Sequence, residues 1–141
     1  MSKILIDTNV VLDLLAKRSP FYVESVQIFS LADMKKIELF ISTLSLVNAH
    51  YILNDTMKVK EARSIIGKFK VLVTSFEVND KIIELALNDK NFKDFEDGIQ
   101  YYTALASRCE LIVTRNLKDF KKSAIPVLSP KEYLIKIKSE R

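Results

Sequence analysis

Short, unbroken apolar runs alternate along this chain with longer stretches whose apolar positions recur every three or four residues. The first run, Lys3–Ile6, stops at Asp7 and reads as a buried strand of the parallel kind, since no polar residue interrupts it. A helix over Val10–Ala16 follows, with Asp7, Thr8 or Asn9 available as its cap, and Pro20 suits the first turn of a second helix reaching about Lys36. Leu39–Ile41 is the second strand; Ser42 or Thr43 then caps a helix over 44–53, and another covers 58–69. Val71–Val73 reads as the third strand, Asn79 caps a helix to about Leu87, and Asp94 opens a strong helix to about Arg108. Leu111–Val113 is the fourth strand and ends in Thr114-Arg115-Asn116, before a turn holding Asp119-Phe120. Pro126–Leu128 is a fifth strand placed at a sheet edge, where proline is tolerated, and Ser129-Pro130 starts a last helix to about Ile137. Strands alternating with amphipathic helices imply an α/β domain: a mostly parallel five-stranded sheet with helices on both faces and ligands at the carboxyl ends of its strands.

Composition narrows the chemistry. At 141 residues, 48% hydrophobic and 28% charged, the chain is expected to be one domain, 1–141, without repeats or linkers. Its only glycines, Gly67 and Gly98, leave no room for a glycine-rich phosphate loop. His50 is the only histidine, which excludes a two-histidine acid–base pair and a His-rich zinc site; it reads as a helix-packing or surface residue. Cys109 is the only cysteine, has no basic cluster to activate it and can form no internal disulfide. With no 18-residue apolar run, and with Asp7 too early for a signal peptide, a cytoplasmic location away from membranes is expected. Positive charge is concentrated at the end: residues 115–141 hold eight basic and three acidic side chains, against fourteen and fifteen before them. That stretch suits a polyanion, and equally a solvated helix face.

The residues that follow the strands carry the functional signal. In a parallel sheet Asp7, after the first strand, shares a rim with Asn116 and Asp119, after the fourth. Asp94, Glu96 and Asp97 open the helix that leads into the fourth strand, and Asp94 and Asp97, three apart, share one face. Each has a structural role open to it: Asp7 and Asp94 as caps, Asp97 as a first-turn acid favoured by the helix dipole, Asn116 as a turn residue. Carboxylates gathered in one pocket repel one another, and a hard divalent cation, Mg²⁺ or Mn²⁺, relieves the repulsion. Such a site suits metal-assisted phosphodiester hydrolysis. A receiver-type phosphorylation domain would need an acidic pair where Thr8-Asn9 stand and an acceptor Asp that Leu72–Ser75 do not supply.

Two segments carry a family resemblance. KILIDTNVVLDLL, 3–15, resembles the opening of PIN domains, and FEDGIQYYTALASRCELIVTRNLKDF, 95–120, resembles the second half of that family's site. Their order and separation match the family's, and the chain is most similar to the small VapC-type toxins of toxin–antitoxin pairs. The resemblance implies a parallel five-stranded sheet, Mg²⁺ or Mn²⁺, cleavage of single-stranded RNA, a homodimer and inhibition by a small antitoxin. It makes Asp7 and Asp97 principal metal ligands, with Asp94, Asn116 and Asp119 completing the site. Thr8 and Asn9 would position it, and Thr114 and Arg115 would face the same rim, Arg115 toward a substrate phosphate. Lys118, Lys121 and Lys122 would hold the RNA backbone. The sequence departs from the family at one place: the pattern S-x-x-x-x-x-E after the second strand has Asn48 where the Glu stands. Two readings follow, a metal-dependent endoribonuclease and a catalytically weakened module that binds RNA or a protein partner without cutting.

Overall fold

The computed structural model describes residues 1–140; Arg141, the last of the C-terminal basic residues, lies outside them. Five strands, β1 (Ser2–Ile6), β2 (Ile37–Ser42), β3 (Thr74–Phe76), β4 (Leu111–Val113) and β5 (Val127–Leu128), pair in the order β3-β2-β1-β4-β5, and every pairing is parallel. Alternation along the strands splits their side chains between two cores. Ile4 and Ile6 of β1, with Leu39 and Ile41 of β2 and Val113 of β4, face one side; Leu5, Phe40 and Ile112 face the other.

The first side is covered by α1 (Thr8–Leu15), α2 (Tyr22–Asp33), α3 (Thr43–Tyr51), α4 (Ala62–Phe69) and α7 (Pro130–Ser139), which contribute Val10, Ile28, Ala49, Phe69 and Tyr133 among others. On the second side, α6 (Phe95–Ala106) lays Tyr101 and Ala104 on the sheet beside Phe92 and Phe120. Helix α5 (Asp80–Asn88) packs on α6 through Ile82, Ala86 and Ile99. Gly98 permits that approach, since a Cβ there would lie 3.3 Å from the Cβ of Ala86. Among the described residues no helix is long and apolar enough to cross a membrane.

Most expected elements form within three residues of their predicted ends; two do not. The third strand lies at Thr74–Phe76, not Val71–Val73. Buried Phe69, packed edge-on against Phe29 with ring centroids 5.4 Å apart, anchors the end of α4. The chain then continues helically through a 3-10 turn, Lys70–Leu72, and this turn leaves Val71 85% exposed. Only beyond it does the backbone come alongside β2, with Thr74 opposite Phe40. The helix expected over 58–69 begins at Ala62, because Lys58 and Glu61 take left-handed backbone angles, φ 54° and 61°, that a right-handed helix cannot contain. A π turn, Ile52–Thr56, instead prolongs α3.

The sheet order sets where a site can form. The chain winds outward from β1 to β2 and β3, then crosses to the other side of β1 to lay down β4 and β5. The reversal leaves a crevice at the carboxyl ends of β1 and β4, the position where open parallel sheets take ligands. Buried and exposed apolar positions differ in what they tolerate. Leu5→Ala, at a fully buried position, should cost 2–5 kcal/mol of unfolding free energy. Val71→Ala should stay within about 0.5 kcal/mol; denaturant titration of both variants checks the pair, and a large loss at Val71 would restore 71–73 as a core strand.

Candidate metal and catalytic site

Asp7 occupies the crevice. Its backbone N–H donates to the Val113 carbonyl at 3.0 Å, tying the end of β1 to the end of β4. Its side chain caps α1, with Oδ1 accepting from the Thr8 N–H at 2.8 Å. Oδ2 accepts from the Thr114 hydroxyl at 2.7 Å and from Asn9 Nδ2 at 3.4 Å. Thr114 Oγ1 in turn accepts from the Asn116 N–H at 3.0 Å, and Asn9 Oδ1 accepts from the Arg115 N–H at 3.3 Å. Thr8, Asn9 and Thr114 thus hold one buried carboxylate in place and fix the loop that carries Asn116 and Asp119.

Helix α6 approaches from the opposite direction, because a crossover into a parallel strand must start at the sheet's carboxyl rim. Asp94 is its N-cap, with Oδ1 accepting from the Glu96 N–H at 2.8 Å, and Asp97 follows within the first turn. A cavity of about 530 Å³ is lined by Asp7, Asn9, Asp94, Glu96, Asp97 and Asp119, together with Thr8, Asn48, Gln100, Arg115 and Asn116. Every expected site residue therefore lines this cavity except Thr114, which is fully buried behind Asp7. Asp94, Asp97 and Asp119 also border a second basin of about 580 Å³, whose other walls carry Lys93, Lys118, Lys121 and Lys122.

Crowding of like charge shows in the acids themselves. Partial burial, then the charges of Asp7, Asp94, Asp119 and Glu96, push the Asp97 carboxyl up to about 7. Burial also raises Asp7; the hydrogen bonds from Thr114 and Thr8 pull the other way, and Asp119 and Glu96 add to the rise. Among the described residues no three Asp, Glu, His or Cys side chains stand together as a ready-made metal cage. The donors are nonetheless all oxygen, mutually repelling and open on one side. That set fits a small hard cation held by one or two carboxylates, with positions left for water and phosphate oxygens.

Residues 3–118 match the family model described as PIN domain. The chain belongs to the PIN-domain family. It is 31% identical over 134 residues to Ribonuclease VapC1 of Aquifex aeolicus, covering 93% of this chain and 92% of that protein. Two solved structures share the fold. One is VapBC2 from Rickettsia felis bound to a DNA fragment of its promoter, with TM-score 0.66, 19% identity, and 90% of this chain and 97% of that one covered. The other is a toxin–antitoxin complex from Klebsiella pneumoniae, with TM-score 0.64, 23% identity and the same coverage.

This PIN domain contains a charged cluster that the sequence reading did not pick out. Asp13, fully buried in α1, accepts from Arg115 Nε at 2.6 Å and Nη2 at 3.1 Å, and from Arg18 Nε at 2.9 Å. The Arg115 guanidinium also lies over the Phe21 ring, 3.9 Å from its centroid. Two of its donors are thereby directed to Asp13 rather than to a substrate, so Arg115 braces the loop after β4. The signal was present as an acid inside the apolar run VVLDLL, with Arg18 five residues on. Asn48 lies at the cavity edge on α3, where its Nδ2 donates to Glu96 Oε2 at 3.4 Å. His50 is a partly buried α3 residue packed edge-on to Tyr51, and burial raises the Cys109 thiol to about 11; neither lines the acidic cavity.

The raised Asp97 carboxyl gives the metal-free protein a pH signature. An unfolded Asp titrates near about 4, so between about pH 4 and 7 the folded state binds more protons than the unfolded one. The stability this group contributes is complete below about pH 4 and is lost as pH rises through the folded value near 7. Thermal melts of the metal-free wild type should fall between pH 5 and pH 8, and Asp97→Asn should flatten that fall and melt higher than wild type at pH 8. A fall of equal size in both proteins would contradict a raised Asp97 carboxyl.

Proposed function

We propose that this PIN domain is a divalent-metal-dependent endoribonuclease acting in the cytoplasm as the toxin of a toxin–antitoxin pair. The observation that carries the reading is the convergence of Asp7, Asp97, Asp94 and Asp119 on one open cavity at the β1–β4 switch point. Asp7 and Asp97 would hold Mg²⁺ or Mn²⁺, and Asp94 and Asn116 would complete its surroundings. Bound there, the ion would acidify water and neutralise charge on the scissile phosphate. The protein's own part is positional. Thr114 and Asn9 fix Asp7 Oδ2, while Thr8 fixes Oδ1. Asp119, exposed on the 3-10 turn Leu117–Phe120 and lining the cavity, would accept a proton there. The lysines of the adjoining basin lie where the phosphates of a strand entering the cavity would run. Similarity to a VapC ribonuclease supports RNA as substrate, and likeness to a toxin–antitoxin complex supports a small antitoxin partner. A homodimer is part of the same reading.

Incubation with single-stranded RNA and Mn²⁺ tests it. Wild type should cleave, and Asp7→Asn should lose at least about a hundredfold in rate, the scale of removing one positioned charged group. Equal cleavage by the two proteins would refute the assignment.

Neutral Asn48 favours a second reading, binding without cutting, because it adds no charge for an ion. Asn48→Glu discriminates between a cavity residue and a bystander. Beside Glu96 the new carboxylate should lower the metal-free melting temperature and enlarge the stabilisation gained from Mn²⁺. An unchanged Mn²⁺ shift would remove Asn48 from the site.

A further inference from the structure

Beneath the acids lies a polar layer that the proposed chemistry has not used. Gln100 lies three residues after Asp97 on α6 and is only 3% exposed. Its Nε2 donates to Ser45 Oγ at 2.5 Å and approaches Thr8 Oγ1 at 3.4 Å. Ser45 Oγ is itself bonded to Thr8 Oγ1 at 2.6 Å and accepts from Ser42 Oγ at 3.2 Å. The amide nitrogen is therefore held from α1 and α3 together, which fixes the orientation of the whole side chain. Its other end is left over. Among the described residues Gln100 Oε1 is the one buried side-chain polar atom with no hydrogen-bond partner. An orphaned buried carbonyl is costly, so its retention points to a donor that the chain itself does not provide.

Position decides which donor. Gln100 forms part of the wall of the cavity that holds Asp7 and Asp97. It stands one helical turn from Asp97 and touches Thr8, the residue after Asp7. A small hard cation between those carboxylates keeps several waters, and cation-bound water is a strong donor in search of acceptors. A sixth carboxylate at position 100 would deepen the repulsion that already crowds the site; a neutral carbonyl accepts without adding charge. We propose that Gln100 is a positioning residue of the metal site, its Oε1 accepting a hydrogen bond from the hydration shell of the ion bound by Asp7 and Asp97. The inference rests on the metal-site reading above.

Calorimetric titration of Mn²⁺ into the full chain, with no RNA present, tests it. Gln100→Met removes both amide functions at similar volume, and Gln100→Glu keeps an oxygen at the same place while removing the donor to Ser45. Met should weaken Mn²⁺ binding about tenfold or more, the usual cost of losing an outer-shell partner, and Glu should bind at least as tightly as wild type. Binding by the Met variant equal to wild type would overturn the proposal, as would a Glu variant as weak as Met, since the amide donor would then be what matters. A wild type that binds no Mn²⁺ would overturn the metal-site reading and this inference together; a wild type that binds while Met binds equally removes only Gln100. The wild-type chain alone gives a second measurement, independent of how the variants fold. Saturation with diamagnetic Mg²⁺ should shift the Gln100 side-chain amide resonances, and unmoved resonances would overturn the proposal.

Discussion

A carboxylate buried between the carboxyl ends of two central strands is the constraint on which the rest of this molecule depends. Asp7 is 6% exposed, and leaving such a group without partners costs several kcal/mol. The chain meets that cost locally. Thr8 and Asn9 follow directly in sequence, while Thr114 arrives from β4 because the parallel register sets Ile6 against Val113. The same hydrogen bonds that make Asp7 tolerable also align the loop after β4, so packing and site assembly are one event.

Two kinds of electrostatics then meet within a few residues. Within α1, Asp13 is neutralised by two arginines and serves as a brace; it is a buried acid that the fold has fully paired. Next to it, Asp7, Asp94, Glu96, Asp97 and Asp119 share a cavity that they line together with Arg18 and Arg115, whose guanidinium groups are directed to Asp13. The first arrangement is neutralised within the fold, and the second burdens it. Losing an arginine partner would leave Asp13 a buried charge without full compensation, a change that typically costs about 3–5 kcal/mol. The division explains why Arg115, though on the rim, is better placed to hold the loop than to reach for a phosphate.

The sequence was informative where local rules and global topology agree. Lys3–Ile6 and Leu111–Val113 are buried runs ended by polar residues, and Asp94 is a cap before an amphipathic helix; these patterns suffice to put both halves of the candidate site on one rim. The Val71–Val73 run was misleading because an apolar triplet does not reveal whether a preceding helix has ended, and Phe69, locked against Phe29, carries the helical path past it. Asp13 and Gln100 were missed for a related reason. Each sits within a helix whose other residues read as core, and only the three-dimensional neighbours, Arg18 and Arg115 for one and Ser45 and Thr8 for the other, separate a functional polar residue from a tolerated one. Asn48 was legible as a departure from the family pattern, while its bond to Glu96 was not.

The central claim is that crowded carboxylates at the β1–β4 switch point await a cation. The side-chain carboxyl of Asp97, followed by carbon-detected NMR through a pH titration without and then with saturating Mg²⁺, measures the combined effect of burial and neighbouring charge at the atom concerned. The expected midpoint is near 7 without metal, with a drop of at least about two pH units when Mg²⁺ is present. A midpoint in the ordinary range near about 4, unmoved by Mg²⁺, would contradict it.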